Sequence, residues 1–507
     1  MTSLSILRLM SVSTGTPEAL ANVAPTGIPG LDRILKGGFP RDRVYLIDGD
    51  PGSGKTTLAL QFLMEGARRG ERVLYVTLSE TNAELRAVAA SHGWSLEGVT
   101  LHELTPVDGS IAENQYTVFH PSEVELGETT KAIVDTIQRL QPSRVVFDSL
   151  SEMRLLARDP LRYRRQILAL KQLFVARGGT VLLLDDGTAG DEESQLHSIA
   201  NGVVCVEQVI PDYGPSRRRV RVLKLRGVPF LAGNHDLAIR TGGIEVYPRA
   251  VPEPGPGVPR SVCLSNVEQL DTLFGGGLDY GTTVLLLGPA GVGKSALGAQ
   301  YAAAAAKRHE RVGIFLFDES EETYRWRSAG IGCDIDDLLA SGNLTLTNVN
   351  PGDLSPGAFT HLVRQSVESG VRVIVLDSLN GYLNAMPEER FLLLQLHELF
   401  MYLRHKGVLT LVTLAQHGMI GHMPTPIDLS YLADTVVLLR YFEASGSIRQ
   451  AISVMKKRTG HHERTIRELR LDSKGVRVGE PLTDFQGVLT GVPNYTGTGK
   501  PLLRPRE

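Results

Sequence analysis

The chain has 507 residues, 42% of them hydrophobic, and a formal net charge of −3 at pH 7. That length exceeds what one hydrophobic core organises and suits two domains of roughly 230 residues; the near-neutral charge excludes a surface built throughout for polyanions and leaves open only a local basic channel. No run approaches ~18 apolar residues, so no membrane span is expected, and the scattered Cys205, Cys263 and Cys333, without metal-ligand spacing, read as buried reduced thiols of a cytoplasmic protein.

Residues 1–22 read as an irregular tail and 23–247 as a first domain. Its lead-in, Thr26-Gly-Ile-Pro-Gly-Leu-Asp32 and Leu35-Lys-Gly-Gly-Phe-Pro40, is rich in turn residues. The apolar run Val44-Tyr-Leu-Ile47 then reaches Gly49-Asp-Pro-Gly-Ser-Gly-Lys-Thr56, followed by the apolar-periodic segment Thr57 to Ala67. Strand, glycine loop and helix in that order make a P-loop, whose backbone N–H groups cradle phosphate oxygens at a helix start. Gly49, Gly52, Ser53, Gly54, Lys55, Thr56 and Thr57 form the expected nucleotide-contacting set. Lys55 would reach the β- and γ-phosphates, and Thr56 would ligate Mg²⁺.

The strand Arg72 to Leu78 follows, ending in Ser79-Glu80. A carboxylate at the carboxyl end of a parallel strand either orients an attacking water or caps a turn. Arg144-Val-Val-Phe-Asp148-Ser149 has the Walker-B pattern, with Asp148 expected in the Mg²⁺ shell. Thr180 to Leu184 is another buried strand. The alternation that follows suggests antiparallel strands, with Arg217-Arg-Arg219 read as a solvated loop. Lys224 and Arg226 project from one strand face, either as a solvated edge or as a finger-like pair for a neighbour's nucleotide.

Residues 248–260 hold prolines and glycines that neither helix nor sheet accommodates, and read as a semi-rigid linker. A second domain, 261–486, repeats the first. Asn266 to Asp271 and Phe274 to Leu278 lead into Val284 to Leu287 and Gly288-Pro-Ala-Gly-Val-Gly-Lys-Ser295. Gly288, Gly291, Val292, Gly293, Lys294, Ser295 and Ala296 are its nucleotide-contacting set, with Ser295 and Asp377 of Val373-Ile-Val-Leu-Asp377-Ser378 as Mg²⁺ ligands. Val312 to Phe317 ends in Asp318-Glu319, candidates for the base. Val408 to Leu414 leads to Gln416 and His417, either phosphate sensors or solvated loop residues. Lys456 and Arg458 repeat Lys224 and Arg226. Two such loops with the same flanks imply a duplicated α/β domain, each copy a mostly parallel twisted sheet with helices on both faces. Residues 487–507 read as a loosely ordered tail.

From about 23 to 490 the chain resembles the KaiC family of tandem RecA-like P-loop ATPases. The P-loops, the Asp-Ser strands, the carboxylates Glu80, Asp318 and Glu319, and the segments Val222 to Gly227, Thr465 to Leu469 and Phe485 to Pro493 carry the resemblance. It implies a double-ringed homo-hexamer with Mg-ATP between protomers, a slowly hydrolysing first domain and an autokinase second domain. It also implies Lys224, Arg226, Lys456 and Arg458 arriving from the neighbour, and a signalling role with a KaiB-like partner. Ser430 occupies the family's phosphorylated serine position and Thr425 another family hydroxyl. Tyr431 stands where the family has threonine, so phosphorylation at one site, Ser430, is the expected form. Ser79 and Asp318 each replace the first glutamate of a pair, so slower hydrolysis is expected in the first domain. Two other classes remain open: a RecA-type ATPase driven by single-stranded DNA, for which the sequence offers no clear basic aromatic channel, and a nucleotide-assembled signalling scaffold with little turnover.

Overall fold

Apolar runs without alternation make strands buried on both faces, and the chain has five such runs in each half. In the first half the structure, a computed structural model, turns them into β1 (Val44–Gly49), β2 (Val73–Thr77), β4 (Arg144–Asp148), β5 (Thr180–Asp186) and β6 (Gly202–Val209). It describes residues 22–104, 121–157, 159–187, 193–210, 215–251, 259–350, 352–384, 391–416, 418, 429–444, 446–489 and 494–496. The edge strand β3 (Val99–Glu103) extends the parallel set. Three antiparallel strands, β7 (Arg217–Leu225), β8 (Asn234–Arg240) and β9 (Gly243–Tyr247), complete the sheet in the order β3-β2-β4-β5-β1-β6-β7-β8-β9.

The second half repeats this order with β10 (Thr283–Gly288), β11 (Arg311–Leu316), β12 (Leu344–Asn348), β13 (Val371–Asp377), β14 (Leu409–Ala415), β15 (Thr435–Ala444), β16 (Ser447–Lys457), β17 (Arg467–Asp472) and β18 (Gly475–Pro481). Its sheet runs β12-β11-β13-β14-β10-β15-β16-β17-β18. In both sheets the strand before the P-loop is central. The chain divides into two compact units after Arg249.

Helices connect the strands, and several of them begin on a side-chain cap. In the first unit these are α1 (Lys55–Arg68), α2 (Asn82–Ser91), α3 (Pro121–Leu140), α4 (Leu150–Ala157), α5 (Pro160–Ala176) and α6 (Glu193–Ile199). Thr81 and Glu84 form a reciprocal capping box on α2, and the Asp159 side chain accepts the Arg162 N–H at the start of α5. The second unit has α7 (Lys294–Lys307), α8 (Glu321–Gly330), α9 (Pro356–Glu368), α10 (Leu379–Asn384) and α11 (Leu392–His405).

Because strand side chains alternate, each sheet has two cores. Tyr45 and Ile47 pack with Leu58 and Phe62 of α1, while Val44 and Leu46 pack with Ile167 and Phe174 of α5. In the second unit Val284 and Leu286 meet Leu297 and Tyr301, while Leu285 meets Phe359 and Phe400. Each such aliphatic or aromatic burial stabilises by about 1.5–3 kcal/mol. The repeated lead-in also has a purpose: the Asp32 carboxylate accepts the Thr26 N–H at 2.7 Å and that of Asp271 accepts the Ser265 N–H at 2.8 Å. All three cysteines are buried and free. Among the described residues no helix is long and apolar enough to cross a membrane.

Two readings change. Arg217–Arg219 is the start of β7 rather than a loop; Arg219 faces Asp236 on β8 at 3.6 Å and Arg218 donates to the Gly52 carbonyl at 3.3 Å, so the sheet and the first P-loop absorb these charges. Beyond Phe485 the chain is partly organised, since Phe485–Gln486 pairs with Asn494–Tyr495 and Phe485 stacks edge-on with Phe442 and Tyr495.

Arg144, at the start of β4, is fully buried. Its guanidinium bonds Glu71 at 2.7 Å, the Pro25 carbonyl at 2.6 Å and the Phe62 carbonyl at 2.9 Å, joining the lead-in, α1 and β4. Burial works to raise the Glu71 carboxyl, but Arg144 and Arg41 prevail and hold it at about 2. The interaction therefore stabilises fully above pH 4.5 and is lost as pH falls toward 2. We expect Arg144→Met to destabilise the first domain by roughly 3 kcal/mol in urea denaturation, because Glu71 loses its buried partner, with the deficit shrinking in acid.

Candidate functional site

Each P-loop joins the carboxyl end of a central strand to a helix start. Gly54 and Gly293 precede the helices with φ of 110° and 107°, a left-handed conformation that favours glycine. A Cβ at either would also come within 2.8 Å of Ile239 or 2.7 Å of Leu471. Ser53 and Val292 are buried beneath the loops. Lys55, Thr56 and Thr57, like Lys294, Ser295 and Ala296, fill the first helical turn.

In the first domain the Lys55 ammonium donates to the carbonyls of Gly49 at 2.6 Å and Asp50 at 3.0 Å, and forms an ion pair with Asp186 Oδ1 at 2.9 Å. Asp148 accepts Tyr75 OH at 2.5 Å and Thr56 Oγ1 at 3.4 Å. Burial pushes the Asp148 carboxyl up. Glu80 stands at the end of β2 with its backbone N–H on Thr77 Oγ1; burial and then the charge of Asp148 push its carboxyl up. Oε2 of Glu80 is buried without a hydrogen bond among the described residues. A raised, unpaired carboxyl suits a group that accepts a proton or orients water.

In the second domain Lys294 donates to the carbonyls of Gly288 at 2.9 Å and Pro289 at 2.7 Å. Burial lowers its ammonium to about 8 against an opposing pull from Asp377. Asp377 Oδ1 accepts Ser295 Oγ at 2.9 Å and Thr413 Oγ1 at 2.7 Å; Oδ2 is buried without a hydrogen bond among the described residues. Ser378 Oγ donates to Asp318 at 2.5 Å. Glu319 is held by both arms of Arg327 from α8, at 3.1 and 2.7 Å, and Arg327 also lies 3.7 Å from Asp377 Oδ2. Gln416 donates its N–H to the Gly288 carbonyl, and Tyr441 OH reaches the Ala290 carbonyl.

These sites fit Mg-nucleotide. The orphaned Asp377 Oδ2 beside Ser295 Oγ suits a cation that keeps waters and phosphate oxygens as its remaining ligands. Among the described residues no cluster of three or more His, Cys, Asp or Glu side chains is arranged to hold a metal by itself.

Other expected site residues lie elsewhere. A register shift in each sheet leaves one extra residue, Leu223 or Met455, beside the basic pair. Lys224 donates to the carbonyls of His197 at 2.5 Å and Ala200 at 2.7 Å, and Arg226 to that of Ser198. Lys456 likewise donates to those of Ser430 at 2.8 Å and Ala433 at 2.9 Å, and Arg458 to that of Tyr431. Ser430 is thus the counterpart of His197. Thr435, just after it, lies beside Val284, toward the amino ends of the parallel strands, whereas the P-loop begins at Gly288. That spacing is roughly 13 Å along the strand. Ser430 is partly buried and Tyr431 is exposed. Thr425 and His417 lie outside the described residues.

Sequence reasoning passed over Arg327 and Asp186. The signal for Asp186 was available, since Asp185-Asp186 ends a buried parallel strand just as Asp318-Glu319 follows one. Arg327 gave none, because its partner is set by the turn between β11 and α8.

A sequence model of the family described as "ATPase: KaiC" matches residues 24–251 and 263–483. The circadian clock protein KaiC3 of Synechocystis sp. is 28% identical over 484 residues, 93% of this chain and 94% of that protein. The circadian clock oscillator protein KaiC of Parasynechococcus marenigrum is 26% identical over 497 residues, 96% of each chain, and that of Thermostichus vulcanus 27% over 496 residues, 95% of this chain and 94% of that one.

The depressed Lys294 value gives a test of the unliganded site. Below pH 8 the native state carries an ammonium it disfavours, and this cost fades as pH rises from 8 toward 10.5. Relative to Lys294→Met, the nucleotide-free wild type should gain stability over that range by up to ~1.4 kcal/mol per pH unit, read as a shift in urea midpoint.

Proposed function

The chain belongs to the KaiC family of ATPases, and from that premise we propose that it binds and hydrolyses ATP at both P-loops of a homo-hexamer, and that its second domain phosphorylates Ser430 of a neighbouring copy. The observation that carries this reading is the division of labour along one sheet. The phosphate-binding loop lies past the carboxyl end of β10, while Ser430, Lys456 and Arg458 lie toward the amino ends. A chain so arranged offers its acceptor and its basic pair to another copy rather than to its own P-loop, which supports transfer between subunits.

Bound Mg-ATP supplies the transferable phosphoryl group. Lys294 and the loop N–H groups of residues 288–295 hold its phosphates, and Ser295 and Asp377 hold the cation. Asp318 or Glu319 takes the proton of the Ser430 hydroxyl as its oxygen bonds phosphorus and the bridging oxygen departs with ADP. With water in place of Ser430, the same groups give hydrolysis. In the first domain Lys55, Thr56, Asp148 and Glu80 play the corresponding parts, and Lys224 and Arg226 serve a neighbour's nucleotide. Thr425 is a second acceptor in this reading. A KaiB-like partner, a timing or signalling role and a cytoplasmic location belong to the same proposal.

The Arg327 clamp on Glu319 supports slow turnover, because a carboxylate held by two N–H donors must be released before it can turn to a reacting hydroxyl or water. Arg327→Gln should raise second-domain ATP turnover several-fold.

Mixing two variants tests transfer between copies. Lys294→Ala chains cannot hold the donor nucleotide, and Ser430→Ala chains lack the acceptor. Incubated together with labelled ATP and Mg²⁺, they should label the Lys294→Ala chains at Ser430, which neither variant does alone. ATP hydrolysis by wild type with no label on protein would remove the kinase and leave an ATPase.

A further inference from the structure

The two P-loops have the same backbone but different floors. Gly49 pairs with Asp186 across β1 and β5 as Gly288 pairs with Ala415 across β10 and β14. The registers therefore place Asp48 where the second domain has Leu287, Asp185 where it has Leu414, and Asp186 where it has Ala415. The neighbouring contacts agree. The Asp186 N–H donates to Ser151 Oγ, as the Ala415 N–H donates to Asn380 Oδ1. Three carboxylates in the first domain thus replace three apolar side chains in the second.

Two of these acids have cationic partners. Arg154 pairs with Asp185 at 2.6 Å, and Lys55 pairs with Asp186 at 2.9 Å. Asp48 is buried, with one oxygen lacking a hydrogen bond among the described residues and the other 3.5 Å from His197 Nε2 and accepting from the Cys205 thiol at 3.8 Å. The P-loop lysine of the first domain therefore already has an anion on its ammonium, whereas among the described residues that of the second is hydrogen-bonded to carbonyls alone and feels Asp377 only as a nearby charge.

We propose, resting on the reading of both P-loops as nucleotide sites, that Asp186 makes the first domain selective for nucleoside diphosphate over triphosphate. A diphosphate can lie in the cradle of loop N–H groups and leave the Lys55–Asp186 pair intact. A triphosphate must take Lys55 from Asp186 and place its terminal phosphate beside an uncompensated carboxylate on a floor that already holds Asp48 and Asp185. Like charges at such separations, partly shielded from water, repel strongly. The second domain, with Ala415 at this position, has no such bias. The first domain then hydrolyses ATP slowly and retains the diphosphate it forms.

The test is a binding measurement on the full chain carrying Lys294→Ala, so that only the first domain takes nucleotide. A fluorescent ADP derivative is displaced by ADP and by a non-hydrolysable ATP analogue with Mg²⁺. ADP should compete at least tenfold better, and both Asp186→Asn and Asp186→Ala should shift the ratio about tenfold toward the triphosphate, mainly through the triphosphate's affinity. Asp186→Asn keeps the side-chain shape, and thermal midpoints without nucleotide report folding of each variant. An unchanged ratio in a folded variant overturns the selectivity while leaving the nucleotide site in place. Binding of neither nucleotide to the Lys294→Ala chain, with binding retained by Lys55→Ala, overturns the reading of the first P-loop as well.

Discussion

A lysine ammonium folded back onto the carbonyls at the end of a central parallel strand organises each half of this protein. Lys294 sits on Gly288 and Pro289, and Lys55 on Gly49 and Asp50. The loop between strand and helix can close only around that charge, because its glycines leave N–H groups pointing inward and its carbonyls pointing at the lysine. Everything nearby is arranged about the same point. The Asp148 and Asp377 strands lie one strand removed, Thr56 and Ser295 follow the lysine in sequence, and the carboxylates after β2 and β11 face it from the next position across the sheet.

The duplication kept the framework and altered the charges. In the second domain a guanidinium on α8 holds Glu319, and the floor is apolar. In the first, Val88 stands on α2 at the corresponding place, Glu80 is unclamped, and the restraint falls on the lysine instead through Asp186. One copy restrains its candidate base, the other its phosphate ligand. The buried arginine at the start of β4 likewise has no counterpart in the second half, where Val373 of β13 takes its place. Identical topology thus leaves wide freedom in where each half carries its polar interior.

Much of this was legible in the sequence because the relevant signals are local. A P-loop is eight consecutive residues, a buried strand four or five, and a second copy at matching intervals removes the ambiguity of short apolar runs. The mostly parallel sheets, the repeated lead-in segments and the Asp-Ser strand ends follow from those. What escaped was set by tertiary approach. Arg217–Arg219 looked like solvated charge because its partners, Asp236 and the Gly52 carbonyl, come from other segments. Tyr495 looked like tail because Phe485, itself stacked on Phe442, meets it only after the sheet forms. Arg327 is an ordinary helix residue until the strands bring Glu319 to it, whereas Asp186 carried a signal, as a carboxylate ending a buried strand, and lacked only its partner Lys55.

The clasp at Lys456 has a mechanical side. One ammonium holds the carbonyls of Ser430 and Ala433 and the Arg458 guanidinium holds that of Tyr431, so the loop bearing the serine is tethered by two cations at the end of the bulged strand. An anion approaching β16 from outside competes for the same protons. Tension in the tether and occupancy of the outer surface then become exchangeable quantities, and the serine gains slack only as fast as charge is drawn off the strand that holds it.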